Sequence, residues 1–260
     1  MPYSTLTLAV SEDIATITLS RPDKRNAIST KMMEELLAAL DEAEHDNCVV
    51  VILTGAGKAF CSGMDLEMLA AIARQSPADN LRDSQRMADM FRRIWCFPKP
   101  LIAAVNGSAI AGGCGIATLC DFTLAVPDAK FGYTEVRIGF IPAIVSVFLT
   151  RQIGERRARD LLLSGRIFDA AEAADLGLVN IIVPPEKLLD TARELAAALG
   201  TSSPTSLREM KRLLCDSAAA TLDADLERAI AQNARIRGTR NFREGLAAFL
   251  EKRKPVWGAE

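Results

Sequence analysis

Three glycine-rich stretches hold most of the residues whose types and spacing suit chemistry. They are Gly55-Ala56-Gly57-Lys58-Ala59-Phe60-Cys61-Ser62-Gly63-Met64-Asp65-Leu66, Asn106-Gly107-Ser108-Ala109-Ile110-Ala111-Gly112-Gly113, and Phe131-Gly132-Tyr133-Thr134-Glu135-Val136-Arg137-Ile138-Gly139-Phe140-Ile141-Pro142. The first makes a poor nucleotide site. Gly55-x-Gly57-Lys58 lacks the spacing of a P-loop and the third glycine of a dinucleotide fingerprint. Together the three turns fit another chemistry. Glycine lets a ligand come close to bare backbone N–H groups. A Gly-Gly pair opening a helix leaves free donors at its positive end. Two such turns on neighbouring strands can aim two amides at one oxygen, which stabilises a thioester enolate or a tetrahedral intermediate. The plainer alternative is that these glycines serve only tight turns and close helix–strand packing.

The rest of the composition narrows the chemistry. His45 is the only histidine, set among acidic residues on a helix that reads as amphipathic, so a solvated face is expected for it. A Ser-His-Asp or Cys-His system would need that one residue, and a His-rich metal site is impossible. The six cysteines, 48, 61, 96, 114, 120 and 215, form no CxxC pair. Reduced thiols in the cytoplasm are therefore expected. Cys61 and Cys114 fall near the glycine turns, but no histidine is at hand to activate them. Net charge is -2, which argues against a bulk claim on nucleic acid or an anionic membrane. The exception is 231–260, where seven basic side chains meet three acidic ones. No signal peptide is expected in 1–10, and no stretch approaches the ~20 apolar residues of a spanning helix.

The elements that must position the glycine turns can be read from periodicity. Stretches 5–10 and 14–19 alternate around Ser11-Glu12-Asp13, which predicts a hairpin. Ser29 or Thr30 caps an amphipathic helix to about residue 44. Apolar runs at 49–53 and 101–105 predict buried strands, 122–126 and 179–183 read as further strands, and 129–131 as a short one. Region 64–97 reads as helical, broken at Ser76-Pro77. From 186 onward the pattern is helical, with breaks at Ser203-Pro204 and Gly238-Thr239. The fold class is α/β with a helical C-terminal region, and no sequence repeat of 20–50 residues is visible.

Taken in order, these segments resemble the enoyl-CoA hydratase/isomerase (crotonase) family. The likeness runs from Arg21-Pro22-Asp23-Lys24-Arg25-Asn26-Ala27 through Gly63-Met64-Asp65-Leu66, Asn106-Gly107, Gly112-Gly113, Cys120-Asp121, Phe131-Gly132 with Glu135, and Ala173-Ala174-Asp175-Leu176-Gly177-Leu178-Val179. It ends at Glu244-Gly245-Leu246 and Phe249-Leu250-Glu251-Lys252-Arg253-Lys254-Pro255. The resemblance implies a crotonase-like spiral of ββα units over 1–185. It also implies a helical region over 186–260 for capping and for assembly as a homotrimer or dimer of trimers. The implied partner is an acyl-CoA thioester of fatty-acid and lipid metabolism. No separate cofactor and no metal are implied, since coenzyme A is part of the substrate. The family's two oxyanion-hole amides fall on Met64 and Gly112. Its CoA contacts fall on Lys24, Ala27, Ser62, Gly63, Asp65 and Leu66, with Lys252 as the C-terminal lysine for a CoA phosphate.

The resemblance also exposes a departure. Hydratases of this type use two glutamates. The second matches Glu135, but the position of the first is Gly115. Three enzyme readings follow. Glu135 alone serves as acid and base for adding water to an α,β-unsaturated thioester. Or Glu135 only moves a proton between C2 and C4, as in a Δ3-Δ2 isomerase. Or Tyr133, Asp65 or Glu67 takes the missing role. A non-catalytic binder of CoA esters or RNA is a further alternative. The stretch Thr134-Glu135-Val136-Arg137-Ile138-Gly139-Phe140-Ile141-Pro142-Ala143 resembles the methylglutaconyl-CoA hydratase-like group, which favours a lyase. On that reading Arg137 is a candidate for a distal substrate carboxylate, the alternative being a structural ion pair. Ala70, Ile72, Met87, Met90, Phe91, Phe140 and Ile144 are candidates for the acyl pocket or for plain core.

Overall fold

The computed structural model describes residues 3–72 and 74–258. Met1 and Pro2 of the stretch read for a signal peptide therefore lie outside the described residues, as do Ala73, Ala259 and Glu260. In chain order the elements are β1 (Leu6–Ser11), β2 (Ile14–Leu19), α1 (Thr30–His45), β3 (Val50–Gly55), β4 (Ala59–Cys61), α2 (Leu66–Ile72) and α3 (Pro77–Trp95). Next come β5 (Leu101–Val105), β6 (Ser108–Ile110), α4 (Gly112–Thr118), β7 (Phe122–Ala125), β8 (Lys130–Gly132) and α5 (Ala143–Ser164). The chain closes with β9 (Ile167–Asp169), α6 (Ala170–Asp175), β10 (Ile181–Ile182), α7 (Leu188–Gly200), α8 (Pro204–Ile236) and α9 (Arg240–Leu250).

Two sheets result, with strand orders β1-β2-β3-β5-β7-β10 and β4-β6-β8-β9. β1 and β2 form the antiparallel hairpin that alternation predicts. The remaining pairs of the large sheet are parallel. β3 and β5 are buried along their whole length, which is why they read as continuous apolar runs and not as alternating ones. The pairs β3–β4, β5–β6 and β7–β8 each send one strand to each sheet. That is the repeating unit of the spiral. It leaves no trace as a sequence repeat because strands of three residues carry no pattern.

The crossings between sheets are where glycine is indispensable. A Cβ on Gly107 would stand 2.1 Å from the Lys58 carbonyl oxygen, and one on Gly113 2.2 Å from that of Cys61. Successive units therefore touch backbone to backbone. Ser29, Ser76, Ser203 and Thr239 each cap a helix by accepting an amide hydrogen bond, which fixes where α1, α3, α8 and α9 begin. α5 bends at Gly154, whose φ is 77°.

One expectation fails. Cys96 and Cys215 are joined in a disulfide with Cα atoms 5.5 Å apart, tying the end of α3 to α8. The thiols are thus not all reduced, and the thiol argument for a cytoplasmic protein falls. The two cysteines are 119 residues apart. Only the packing of α8 along α3 brings them together. The other four cysteines are free and buried. His45 is exposed at the end of α1, its Nδ1 donating to the Asp41 carbonyl at 2.7 Å.

Candidate active site

A cavity of about 700 Å³ opens between the β4, β6 and β8 turns and the C-terminal helices. Its walls include Met64, Gly112 and Glu135, one residue from each glycine-rich stretch. Each arrives by a different local device.

Met64 sits just past β4 in an isolated parallel bridge with Ile28. In that bridge Ile28 N–H donates to Gly63 C=O at 2.8 Å, and Asp65 N–H donates to Ile28 C=O at 2.9 Å. Parallel pairing uses the residues flanking Met64 and leaves its own N–H turned the other way. The chain around Ile28 is held by Asn26, whose Nδ2 donates to Ala56 and Ala59 carbonyls at 2.9 and 2.8 Å. Arg21 binds Asp65 at 2.7 Å and the Ala27 carbonyl at 2.6 Å.

Gly112 is the first residue of α4, so its amide has no acceptor within the helix. The preceding Ala111 holds φ 52° and ψ −126°, a conformation glycine adopts freely and alanine only under strain. Its N–H donates to Gly132 C=O at 2.7 Å, which locks the turn to β8. A Cβ on Gly63 would lie 2.9 Å from Ile110 C=O and 3.7 Å from Gly112 N. The two turns are therefore in contact. Among the described residues neither the Met64 nor the Gly112 amide has an acceptor, and both residues line the same cavity.

Glu135 opens a 3-10 turn, Glu135–Ile138, directly after β8. α9 presses on this turn without intervening side chains. A Cβ on Gly139 would meet Asn241 C=O at 2.5 Å, and one on Gly245 would meet Ile138 C=O at 2.4 Å. Within this wall the Glu135 Oε2 is buried and has no hydrogen-bond partner. Burial raises its carboxyl from 4.5 to about 7, with a backbone hydrogen bond acting in the opposite direction. A carboxyl raised this far is suited to exchanging a proton near neutrality, which is the range acid–base chemistry uses.

The position of Gly115 is closed. A Cβ there would meet Val145 Cγ2 at 2.9 Å and Phe91 Cε1 at 3.1 Å, so an apolar wall stands where a second carboxylate would project. The three candidates to replace it are engaged elsewhere. The Tyr133 hydroxyl is buried against Thr118 Oγ1 at 3.0 Å, and burial holds its pKa well above 10. Burial alone would raise Asp65, but the Glu67 amide and the Arg21 guanidinium hold it low. Glu67 is 84% exposed and pairs with Lys24 at 3.1 Å.

Lys24, Ala27, Ser62, Asp65, Leu66 and Lys252 all line the cavity, whereas Gly63 lies behind the wall and packs the turns together. Lys252 reaches the cavity of its own chain, at φ 54° just after α9. Among the acyl-pocket candidates Met87, Phe91, Phe140 and Ile144 line it, while Ala70, Ile72 and Met90 do not. Arg137 is exposed and does not line this cavity. Burial pushes Cys61 and Cys114 up to about 12, which keeps both thiols protonated and inert. Sequence reading missed Asn233, near the end of α8, and Arg237, just past it, both of which line the cavity. Their i, i+4 spacing was the available signal.

Two amides without acceptors and a carboxyl raised toward neutrality belong to residues that line one cavity, a set of groups able to hold charge on an oxygen and to move a proton. The chain belongs to the enoyl-CoA hydratase/isomerase family, whose profile matches residues 9–260. It is 45% identical over 243 residues to a Thermus thermophilus protein named for enoyl-CoA hydratase, covering 93% of this chain and 96% of that one. It is 33% identical over 254 residues to the 2,3-dehydroadipyl-CoA hydratase of Escherichia coli, covering 97% and 98%. The crystal structure of an enoyl-CoA hydratase/isomerase from Xanthobacter autotrophicus Py2 superposes with a TM-score of 0.88 at 33% identity, covering 96% of this chain and 97% of that one. The fold is accordingly the crotonase fold, and the chain is an enzyme of this family. Among the described residues no helix is long and apolar enough to cross a membrane.

Proposed function

We propose that the protein is an enoyl-CoA hydratase-type lyase that adds water to an α,β-unsaturated acyl-CoA thioester with a single carboxyl, Glu135. The observation that carries this reading is the buried, unpartnered Glu135 Oε2, with a pKa near 7, in the same wall as two amides without acceptors. The thioester oxygen accepts from the N–H groups of Met64 and Gly112. The Glu135 carboxylate takes a proton from water as the new C3–O bond forms. The C2=C3 electron pair moves toward the thioester oxygen, where the two hydrogen bonds tighten. Glu135 then returns the proton to C2, and one water has been added with no other group changed. Loss of one such donor typically costs ~3–4 kcal/mol of barrier, and acid–base help supplies ~10²–10⁴-fold. Lys24, Ala27, Ser62, Asp65, Leu66 and Lys252 would hold the CoA moiety, Lys252 through a phosphate, a reading supported by their all lining the cavity.

A specific observation favours a second reading, Δ3-Δ2 isomerisation. The Phe91–Val145 wall at Gly115 leaves no second carboxylate, and an isomerase needs none. Glu135 would take the C2 proton of a 3-enoyl thioester and return it to C4. Assembly as a homotrimer or dimer of trimers is part of the proposal. It is supported by Met210, Leu213 and Leu214 of α8, which are 51%, 60% and 59% exposed in the single chain. The deciding experiment is mass spectrometry of products from 2-enoyl, 3-enoyl and branched dicarboxylic CoA esters. A gain of one water by a 2-enoyl ester establishes hydration. Conversion of a 3-enoyl ester at unchanged mass establishes isomerisation, and no change in any ester refutes both.

A further inference from the structure

α9 ends beside the cavity in a turn that its sequence does not favour. Arg253 N–H donates to Ala248 C=O at 2.9 Å, and Lys252 N–H donates to Phe249 C=O at 3.3 Å. This pair of bonds closes a helix with a residue in the left-handed region, a place glycine usually takes. Here Lys252 takes it, at φ 54°. A long side chain at positive φ is a strained choice that persists only where its surroundings impose it. Phe249, Leu250 and Lys252 all line the cavity, so the strain falls on its wall. Among the described residues the Lys252 ammonium has neither hydrogen bond nor ion pair.

What imposes the turn is a clasp between α9 and the chain that follows it. Glu244 accepts from Arg253 Nη1 at 2.5 Å and Nη2 at 3.0 Å, and from the Val256 amide at 2.8 Å. Further along, Asn241 Nδ2 donates to Gly258 C=O at 2.9 Å, and Gly258 N–H donates to Asn241 Oδ1 at 3.1 Å. Trp257 lies against Gly245, where a Cβ would stand 2.8 Å from its ring. Residues 253–258 therefore run back along α9, and the reversal at Lys252 is held from both sides. The Arg253 guanidinium and the Val256 amide hold the Glu244 carboxyl down to about 2, so the clasp stays ionised at neutral pH. We propose that Glu244, acting through Arg253, is a positioning residue that fixes the turn at Lys252 and so holds its ammonium at the cavity for a phosphate of a CoA thioester. This inference rests on the proposed binding of CoA thioesters in this cavity, with Lys252 as a phosphate contact.

The test measures, by titration calorimetry, the affinity of a saturated acyl-CoA and of the matching acyl-pantetheine, which carries no phosphate. The readout is the ratio of the two affinities. Lys252→Gly keeps the turn and removes the ammonium, and should lower the ratio by about tenfold, the scale of one charge-assisted hydrogen bond. Glu244→Ala should also lower it, by about threefold or more, and leave acyl-pantetheine binding unchanged. The sign is diagnostic, because removing a negative charge near a phosphate would by itself tighten the phosphate. Glu244→Ala combined with Lys252→Gly should lose no more than Lys252→Gly alone, as one residue acting through another requires. If Glu244→Ala does not fold, Glu244→Gln, which keeps the shape of the side chain, carries the same test. An unchanged or raised ratio in the Glu244 variant, or equal loss of both thioesters, overturns the inference while the CoA reading stands. An unchanged ratio in Lys252→Gly overturns the phosphate contact beneath it. Wild-type protein that binds no acyl-CoA overturns the CoA reading itself.

Discussion

Replacing the Glu135 carboxyl by an amide should stop turnover and stabilise the protein with one change. The buried Oε2 has no partner, and its carboxyl titrates near 7 where 4.5 is ordinary. The folded state therefore favours the neutral acid. Stability is full below the ordinary carboxyl pKa. It declines as pH rises through 4.5 toward 7, because the unfolded chain ionises first. Above 7 the folded protein carries an ionised buried carboxylate at a penalty of about 3 kcal/mol. Glutamine keeps the shape and never ionises, although its amide hydrogens remain unsatisfied. Glu135→Gln should thus be more stable than wild type by about 2 kcal/mol at about pH 8, with no gain at about pH 4. Turnover should fall at least ~10²–10⁴-fold, since no second carboxylate shares the work. Wild-type activity should itself rise as pH increases through about 7, as the carboxylate forms. Urea denaturation at both pH values, with turnover measured on the same preparations, tests the pair of effects. Near wild-type turnover in Glu135→Gln would refute the assignment of the proton. An unchanged stability at the higher pH would refute the burial argument.

Three further outcomes are expected. Gly115→Glu, which inserts the missing carboxylate, should lower stability by about 2 kcal/mol and not raise turnover. Its Cβ would stand 2.9 Å from buried Val145 and 3.1 Å from buried Phe91, and thermal melts beside kcat measure both effects. Ala111→Gly should raise stability by about 1 kcal/mol, because relief of the strained φ 52° exceeds the entropy glycine adds to the unfolded chain; a higher melting temperature checks this. Removing the Cys96–Cys215 link by a double serine substitution should lower stability by up to about 5 kcal/mol in the chain-entropy account. That is the scale for a closure spanning 119 residues, and urea midpoints with and without reductant measure it.

Local physics made much of the architecture legible in the chain itself. The hairpin, the buried runs of β3 and β5, and the serine-capped starts of α1, α3 and α8 follow from periodicity and capping. The resemblance pointed to Met64, Gly112 and Glu135 because glycine turns leave distinctive residue strings. Other features left no local signature. β4, β6 and β9 have three residues each, too few to show a period. The disulfide, the Phe91–Val145 wall at Gly115 and the Arg237–Asp83 pair each join residues far apart in sequence. The raised pKa of Glu135 is likewise a property of what surrounds it and not of the glutamate. Sequence alone determined which groups can donate amides and protons. Tertiary packing decided which of them share a cavity and what surrounds each one, because burial and contact across the chain exist only once the helices close over the sheets.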